Sequence, residues 1–332
     1  MAEKVKITDP SACVHCHKCR RNCLFLEKYG IDIGDAERLA ELAYHCFLCG
    51  RCTAVCPKGI DGREIVLGMR RSRVRKHRGK LCEKGYRVLR LEKENYIFRN
   101  YRNAEAKSVL FPGCSFPAYY PQTTTYLTEL LREKAGMGVA FDCCGKPIAE
   151  LGMELQEQRI IAGIENRLRA CGAEEVVVVC PNCYHFLKPR LKINVVGIYE
   201  KLYALGIGKT IEEKITFFPP CPDRENGELL AEIGAFLKEE PEIISHVQCC
   251  GLGGCVWKKE HDLAERMVGD IGREKKKIHT YCASCSGNFV RNGYHDSAHI
   301  LLEILGREEQ PNTGKSVSNR LKMKYLRMPA GK

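Results

Sequence analysis

No apolar run in this sequence approaches the roughly 18 residues that a membrane-crossing helix needs. The opening stretch, MAEKVKITDPSACVHC, has no apolar segment of the kind a secretory signal carries. A P-loop and a Ser-His-Asp arrangement are both lacking. The glycines Gly251, Gly253 and Gly254 beside Trp257 do not have the G-x-G-x-x-G spacing, so a dinucleotide loop is excluded there. These absences argue against an integral membrane protein, a P-loop enzyme and a serine hydrolase. The expected location is the cytoplasm, with peripheral attachment at the inner face of a membrane as the nearest approach to lipid. Hydrophobic content of 44% and charged content of 28% are ordinary for a folded chain and exclude disorder as the main state. The 332 residues allow two or three domains.

What the sequence has in excess is cysteine, 21 residues of it. The number is odd, the chain is long and no export signal is visible, so a disulfide framework explains it poorly. Most of the cysteines fall in Cys-x2-Cys groups, which suit thiolate chelation in a reducing compartment. The formal net charge is +12. Four all-thiolate [4Fe–4S] clusters, at roughly −2 each, would bring it to about +4. Nucleic acid is therefore not needed to explain the charge. The basic run Arg70, Arg71, Arg73, Arg75, Lys76, Arg78 and Lys80 has no aromatic platform beside it. It reads as a solvated helix face, or as a docking surface for an acidic redox partner.

Residues 13–23 read CVHCHKCRRNC and residues 46–57 read CFLCGRCTAVCP. Both are Cys-x2-Cys-x2-Cys-x3-Cys. Three close thiolates can wrap one face of a cubane, and in two-cluster ferredoxins the fourth cysteine ligates the other cluster. One [4Fe–4S] cluster is thus assigned to Cys13, Cys16, Cys19 and Cys56, and a second to Cys46, Cys49, Cys52 and Cys23. Between the runs, Ala36, Leu39, Ala40 and Ala43 repeat at helical spacing after a cap at Gly34 or Asp35. The inserted helix resembles the α-helical ferredoxin domains of respiratory complexes. Leu24 departs from that pattern, standing where many such motifs have proline. His15, His17 and His45 read as exposed polar positions, with hydrogen bonding to a cluster as the alternative.

The remaining two-thirds repeats itself. Cys114, Cys143–Cys144–Gly145 and Cys180-Pro-Asn-Cys183 recur as Cys221, Cys249–Cys250–Gly251 and Cys282-Ala-Ser-Cys285, offset by about 105 residues, an internal duplication. Each cysteine group follows a β-rich run: VLFPGC, VAFDCC, VVVVCPNC, ITFFPPC, SHVQCC and KKIHTYCASC. Helical stretches at 153–170 and 226–239 lie between. Strands alternating with helices predict parallel sheets, whose carboxyl ends share one edge. Five thiolates should converge there in each copy. Gly145 and Gly251 would take positive φ beside a bulky group. Zinc is the competing occupant, since four of five cysteines suffice to hold it.

With those residues in view, the chain resembles the cysteine-rich CCG domains of heterodisulfide reductases. Over about residues 10–305 it looks like a fusion of that enzyme's ferredoxin subunit with its catalytic subunit. The resemblance implies two non-cubane [4Fe–4S] clusters, one on Cys114, Cys143, Cys144, Cys180 and Cys183, the other on Cys221, Cys249, Cys250, Cys282 and Cys285. It implies a disulfide or thiol substrate, with Cys144 and Cys250 in catalytic roles beside their clusters. The domain pair is also similar to iron–sulfur subunits of glycerol-3-phosphate, glycolate and lactate oxidoreductases, which relay electrons between a flavoprotein and quinone. That likeness implies a flavin-bearing redox subunit, a membrane cytochrome or a quinone-linked protein as partner, with FAD on the partner only. Three readings stay open: a disulfide-cleaving enzyme, a relay subunit, and a zinc-stabilised scaffold with two redox clusters.

The expected architecture is α+β and multidomain. It comprises a two-cluster ferredoxin-like domain at 1–80, a helical connector at 81–107, CCG domains at 108–214 and 215–305, and a basic tail at 306–332. From Gly314 to Lys332 that tail has six Lys or Arg and no acid, and is read as disordered, or as docking to a partner or an anionic membrane. Cys82, Cys171 and Cys255 fall outside the motifs. His185, His295 and His299 are candidate proton donors.

Overall fold

The computed structural model describes residues 6–274 and 276–328. The chain divides into two compact units. The first combines Met1–Arg90, Pro147–Glu157 and Ser245–Glu274; the second combines Leu91–Lys146, Gln158–Ile244 and Lys275–Lys332.

The first unit is helical, and its early helices are short: Lys18–Arg21, Leu24–Tyr29, Ala36–Glu41 and Arg51–Ala54. Cysteine-bearing loops interrupt them, so none can lengthen. The first long helix, Gly62–Lys76, starts at Asp61, whose carboxylate accepts the Glu64 N–H at 3.0 Å. Phe25, Leu26, Leu39, Tyr44 and Phe47 form the apolar interior.

Arg70 corrects the reading of the basic run. It is fully buried, not on a solvated face. Its guanidinium donates to the carbonyls of Ala43 (2.9 Å), Cys46 (2.7 Å), Glu150 (2.7 Å) and Gly254 (2.9 Å). The Tyr44 ring lies 4.9 Å from it. One side chain thus joins the three segments of this unit. Its neighbours behave as expected of a helix surface: Arg71 pairs with Glu64, Arg73 with Glu83 and Arg75 with Glu154.

The second unit holds two sheets, in the orders β1-β3-β2-β4-β5 and β7-β6-β8-β9. Strands β2 (Ser108–Phe111), β3 (Gly138–Phe141), β4 (Glu175–Val178) and β5 (Asn194–Gly197) are parallel. So are β6 (Thr216–Phe217), β7 (Glu242–Ile243), β8 (Ile278–Thr280) and β9 (Ser297–His299). β2, β3 and β4 are almost wholly buried, as their continuous apolar runs require. The α+β architecture with parallel sheets agrees with the sequence reading.

Three segments differ from it. SHVQ, before the second Cys-Cys pair, is not a strand; β7 lies earlier, and residues 245–250 belong to the first unit. Polar contacts to that unit hold it there, including Arg51 to the Ser245 carbonyl at 2.9 Å. The 81–107 stretch is only partly helical: Arg87–Lys93 is a helix, but β1 (Asn100–Asn103) is a strand, antiparallel to β3. The tail is not disordered within the described residues. It forms the helix Ser316–Tyr325, whose Met323 is buried and whose Met323 carbonyl accepts from Asn100 at 2.8 Å. Arg320 pairs with Glu92. Within the tail, Arg320 also donates to the Ser316 carbonyl at 3.1 Å. Among the described residues, no helix is long and apolar enough to cross a membrane.

Candidate metal centres

The two N-terminal cysteine runs share one backbone design. In each, the residue two after the first cysteine takes positive φ (His15 49°, Leu48 51°) and donates its N–H to that cysteine's sulfur at 3.4 Å. Two residues further on, His17 (59°) and Gly50 (75°) also take positive φ, each preceding a short helix. Such turns aim successive N–H groups inward at an anion.

Cys13, Cys16, Cys19 and Cys56 line one cavity, with Ile33 and Ile60 as its apolar wall. Cys23 lies instead with the other run. Burial raises its thiol, and the charges of Cys49 and Cys46 raise it further. One carboxamide nitrogen, that of Gln248, reaches both Cys23 Sγ (3.5 Å) and Cys49 Sγ (3.6 Å). Cys52 senses Cys23, Cys46 and Cys49 in turn, after the dominant effect of burial. Each set therefore takes three cysteines from one run and the fourth from the other. Glycine keeps both places open: a Cβ on Gly34 would lie 2.6 Å from Cys13 Cβ, and one on Gly62 would lie 2.7 Å from Cys52 Sγ. Burial pushes Cys19 and Cys46 up to about 11, a penalty on thiolates that a bound cationic centre relieves. Four convergent sulfurs in a small cradle fit a four-iron cluster.

In the second unit, Cys114 follows β2, Cys143 and Cys144 follow β3, and Cys180 caps the helix Pro181–Leu187 after β4, with Cys183 in its first turn. Since β3, β2 and β4 are neighbours, one sheet edge gathers all five. Their thiols are hydrogen-bonded in succession: Cys114 to Cys143, Cys143 to Cys144, Cys144 to Cys183, Cys183 to Cys180. Donation from Cys143 and Cys183 pulls Cys144 down to about 5. Hydrogen bonding with Cys183, whose single proton Cys144 and Cys180 share, and with Cys282 holds Cys180 well below the usual thiol range. Gly113 admits this closeness, because a Cβ there would sit 3.0 Å from Cys183 Sγ.

Sequence reasoning missed Lys93. Burial opposes its charge, but Cys114 and Cys143 outweigh burial and hold its ammonium well above the usual lysine range. No motif marks it, and only the tertiary fold brings it to the cysteines.

The second copy's cysteines divide between the units. Cys221 follows β6, while Cys282 caps the helix Ala283–Arg291 after β8, with Cys285 in its first turn. Cys249 and Cys250 lie in the first unit. Within the second unit the copies meet: Cys282 bonds to Cys180, Asn182 donates to Cys282 Sγ at 3.6 Å, and Ser284 bonds to Ser115 at 2.9 Å. Gly145 (89°) and Gly251 (84°) take the expected positive φ.

The candidate proton donors separate. His185 is bound to buried Asp223 at 2.7 Å, and Asp223 also accepts from Tyr281 at 2.8 Å. His299 is enclosed beside the Phe116 and Tyr120 rings, and burial lowers it to about 3, so it stays neutral and donates no titratable proton. His295 is at the surface. Cys82 is exposed, Cys171 half-buried, and Cys255 directs its thiol toward the Pro147 carbonyl at 3.8 Å.

The chain has recognisable relatives among known proteins. The cysteine-rich CCG domain family matches residues 108–188 and 215–290. A subunit of the fumarate reductase (CoM/CoB) of Methanothermobacter marburgensis is 26% identical over 318 residues, 80% of this chain and 63% of that one. A subunit of the dihydromethanophenazine:CoB–CoM heterodisulfide reductase of Methanosarcina acetivorans is 24% identical over 336 residues, 82% of this chain and 78% of that one. The EtfAB:quinone oxidoreductase of Syntrophomonas wolfei is 29% identical over 182 residues, 47% of this chain and 25% of that one. The chain spans 54% to 63% of the length of the curated relatives it matches first. Residues 108–188 and 215–290 are thus two cysteine-rich CCG domains, in a chain similar to iron–sulfur subunits of heterodisulfide reductases.

Proposed function

We propose that the chain is the iron–sulfur subunit of an oxidoreductase that reduces a disulfide, or oxidises two thiols, at paired CCG clusters. The contact between Cys180 and Cys282 carries this reading. It brings the two copies' strand ends together, so one substrate can touch both. Reduction takes two electrons and two protons and turns one disulfide into two thiols. Bound clusters would supply the electrons singly and an iron position for each sulfur. Cys114, Cys143, Cys144, Cys180 and Cys183 would hold one cluster, and Cys221, Cys249, Cys250, Cys282 and Cys285 the other. Cys144 and Cys250 would shape the open position. Cys13, Cys16, Cys19 and Cys56, and Cys46, Cys49, Cys52 and Cys23, would hold two cubane clusters connecting this site to a redox partner. The ferredoxin-like domain at 1–80 and the CCG domains at 108–214 and 215–305 are part of the same proposal, as is a cytoplasmic location.

Anaerobic protein should contain about 16 iron and 16 sulfide per chain. About 8 iron with one or two zinc would indicate the scaffold instead. Adding small thiols, of coenzyme and glutathione type, to oxidised protein should produce a new EPR signal that broadens with a 33S-labelled thiol. The similarity to the EtfAB:quinone oxidoreductase favours a second reading, a relay between a flavoprotein and quinone. Clusters indifferent to every thiol and disulfide, yet reduced rapidly by a flavin partner, would establish it.

A further inference from the structure

Gln248 directly precedes the Cys249–Cys250 pair, yet its side chain faces the N-terminal cysteines. It is 6% exposed. Its Oε1 accepts the Leu24 N–H at 2.7 Å. That bond fixes the amide orientation, because only the oxygen can accept from a backbone N–H. The nitrogen must then face Cys23 Sγ at 3.5 Å and Cys49 Sγ at 3.6 Å.

We propose that Gln248 is a positioning residue that sets the reduction potential of the cluster held by Cys23, Cys46, Cys49 and Cys52. The inference rests on the cluster reading above. Hydrogen bonds to cluster sulfurs stabilise the extra negative charge of the reduced state and raise the potential. Burial strengthens them, since no water competes. Both sulfurs that the Gln248 nitrogen reaches, on Cys23 and Cys49, belong to this set and not to that of Cys13, Cys16, Cys19 and Cys56, so the effect separates the two clusters.

The surroundings hold Gln248 in place. A Cβ on Gly253 would lie 2.3 Å from the Phe47 carbonyl oxygen, and one on Gly254 would lie 2.3 Å from that of Cys46. The loop after Cys250 therefore seats directly on the CFLC backbone, which is the use of the glycines that superficially suggest a phosphate loop. Arg70 clamps the Cys46 and Gly254 carbonyls together. A merely structural glutamine would be equally buried; a potential-setting one must alter one cluster and spare the other.

The test compares full-length wild-type protein with Gln248→Leu and Gln248→Glu by EPR-monitored redox titration, with iron and sulfide measured on each. Cys49→Ser identifies which signal belongs to the cluster in question. That cluster should become harder to reduce in Gln248→Leu, and harder still in Gln248→Glu, where a carboxylate replaces the donor. The midpoint of the other N-terminal cluster should stay fixed. Gln248→Glu matches the native shape and can still accept from Leu24, so it decides the matter if the leucine variant loses iron. An unmoved midpoint in the glutamate variant, or equal movement of both clusters, overturns the inference while leaving the cluster reading intact. Wild-type protein with no reducible four-iron signal from residues 13–56 overturns the reading and the inference together.

Discussion

Cys282, in the second copy of the duplication, hydrogen-bonds to Cys180 in the first. The copies are thus not two independent sites. Cys282→Ala should remove a ligand of the second CCG cluster and also change the EPR signature of the first. Cys114→Ala, on the far side of the sulfur chain, should change the first alone. Independent behaviour of the two signatures in Cys282→Ala would show that the contact has no electronic consequence.

The crossed arrangement of the N-terminal runs makes a second prediction. Cys23→Ser should cost the cluster built on Cys46, Cys49 and Cys52, about four iron per chain, although Cys23 belongs in sequence to the CVHC run. The EPR signal of the cavity lined by Cys13, Cys16, Cys19 and Cys56 should remain. Loss of that signal instead would reverse the assignment.

Arg70→Met should destabilise the first unit by about 3 kcal/mol or more, since a buried cation is lost and four carbonyls lose their donor. Denaturant unfolding under anaerobic conditions measures it. Arg70→Lys retains the charge but not the planar fork, and should recover only part of the loss. A methionine variant within about 1 kcal/mol of wild type would mean that water replaces the guanidinium.

Burial lifts the Glu232 carboxyl to about 7, while the Glu200 N–H, at 3.2 Å, opposes the shift. A carboxyl raised in the folded state binds its proton more tightly there than in the unfolded chain. Its contribution is therefore fully present below the unfolded value near 4.5, and is lost as pH rises through 7. Glu232→Gln should leave stability nearly unchanged at pH 5 and raise it at pH 8, by something on the order of 1–2 kcal/mol after allowing for partial exposure. Thermal unfolding of both proteins at the two pH values checks the sign.

Much of this was legible in the residues themselves. VLF, VAF and VVVV are continuous apolar runs, and they became the adjacent buried strands β2, β3 and β4. The cysteines after them fell on one edge because parallel strands share a direction. SHVQ is not a strand because its polar groups are occupied elsewhere, as Gln248 is. Arg70 was indistinguishable from its neighbours, since charge reads as solvated unless the sequence shows which carbonyls need a donor. Lys93 could not be found at all, because its partners Cys114 and Cys143 lie on other elements.

The Arg70 bond to the Gly254 carbonyl spans 184 residues. On a ribosome adding about 5–20 residues per second, the arginine waits roughly 10–40 s for that acceptor. Throughout that interval the eight N-terminal cysteines have emerged, but the loop that seats against the CFLC run has not been made. The distance along the chain between two bonded groups thus sets the order in which the N-terminal cysteine runs and the loop that seats on them become available.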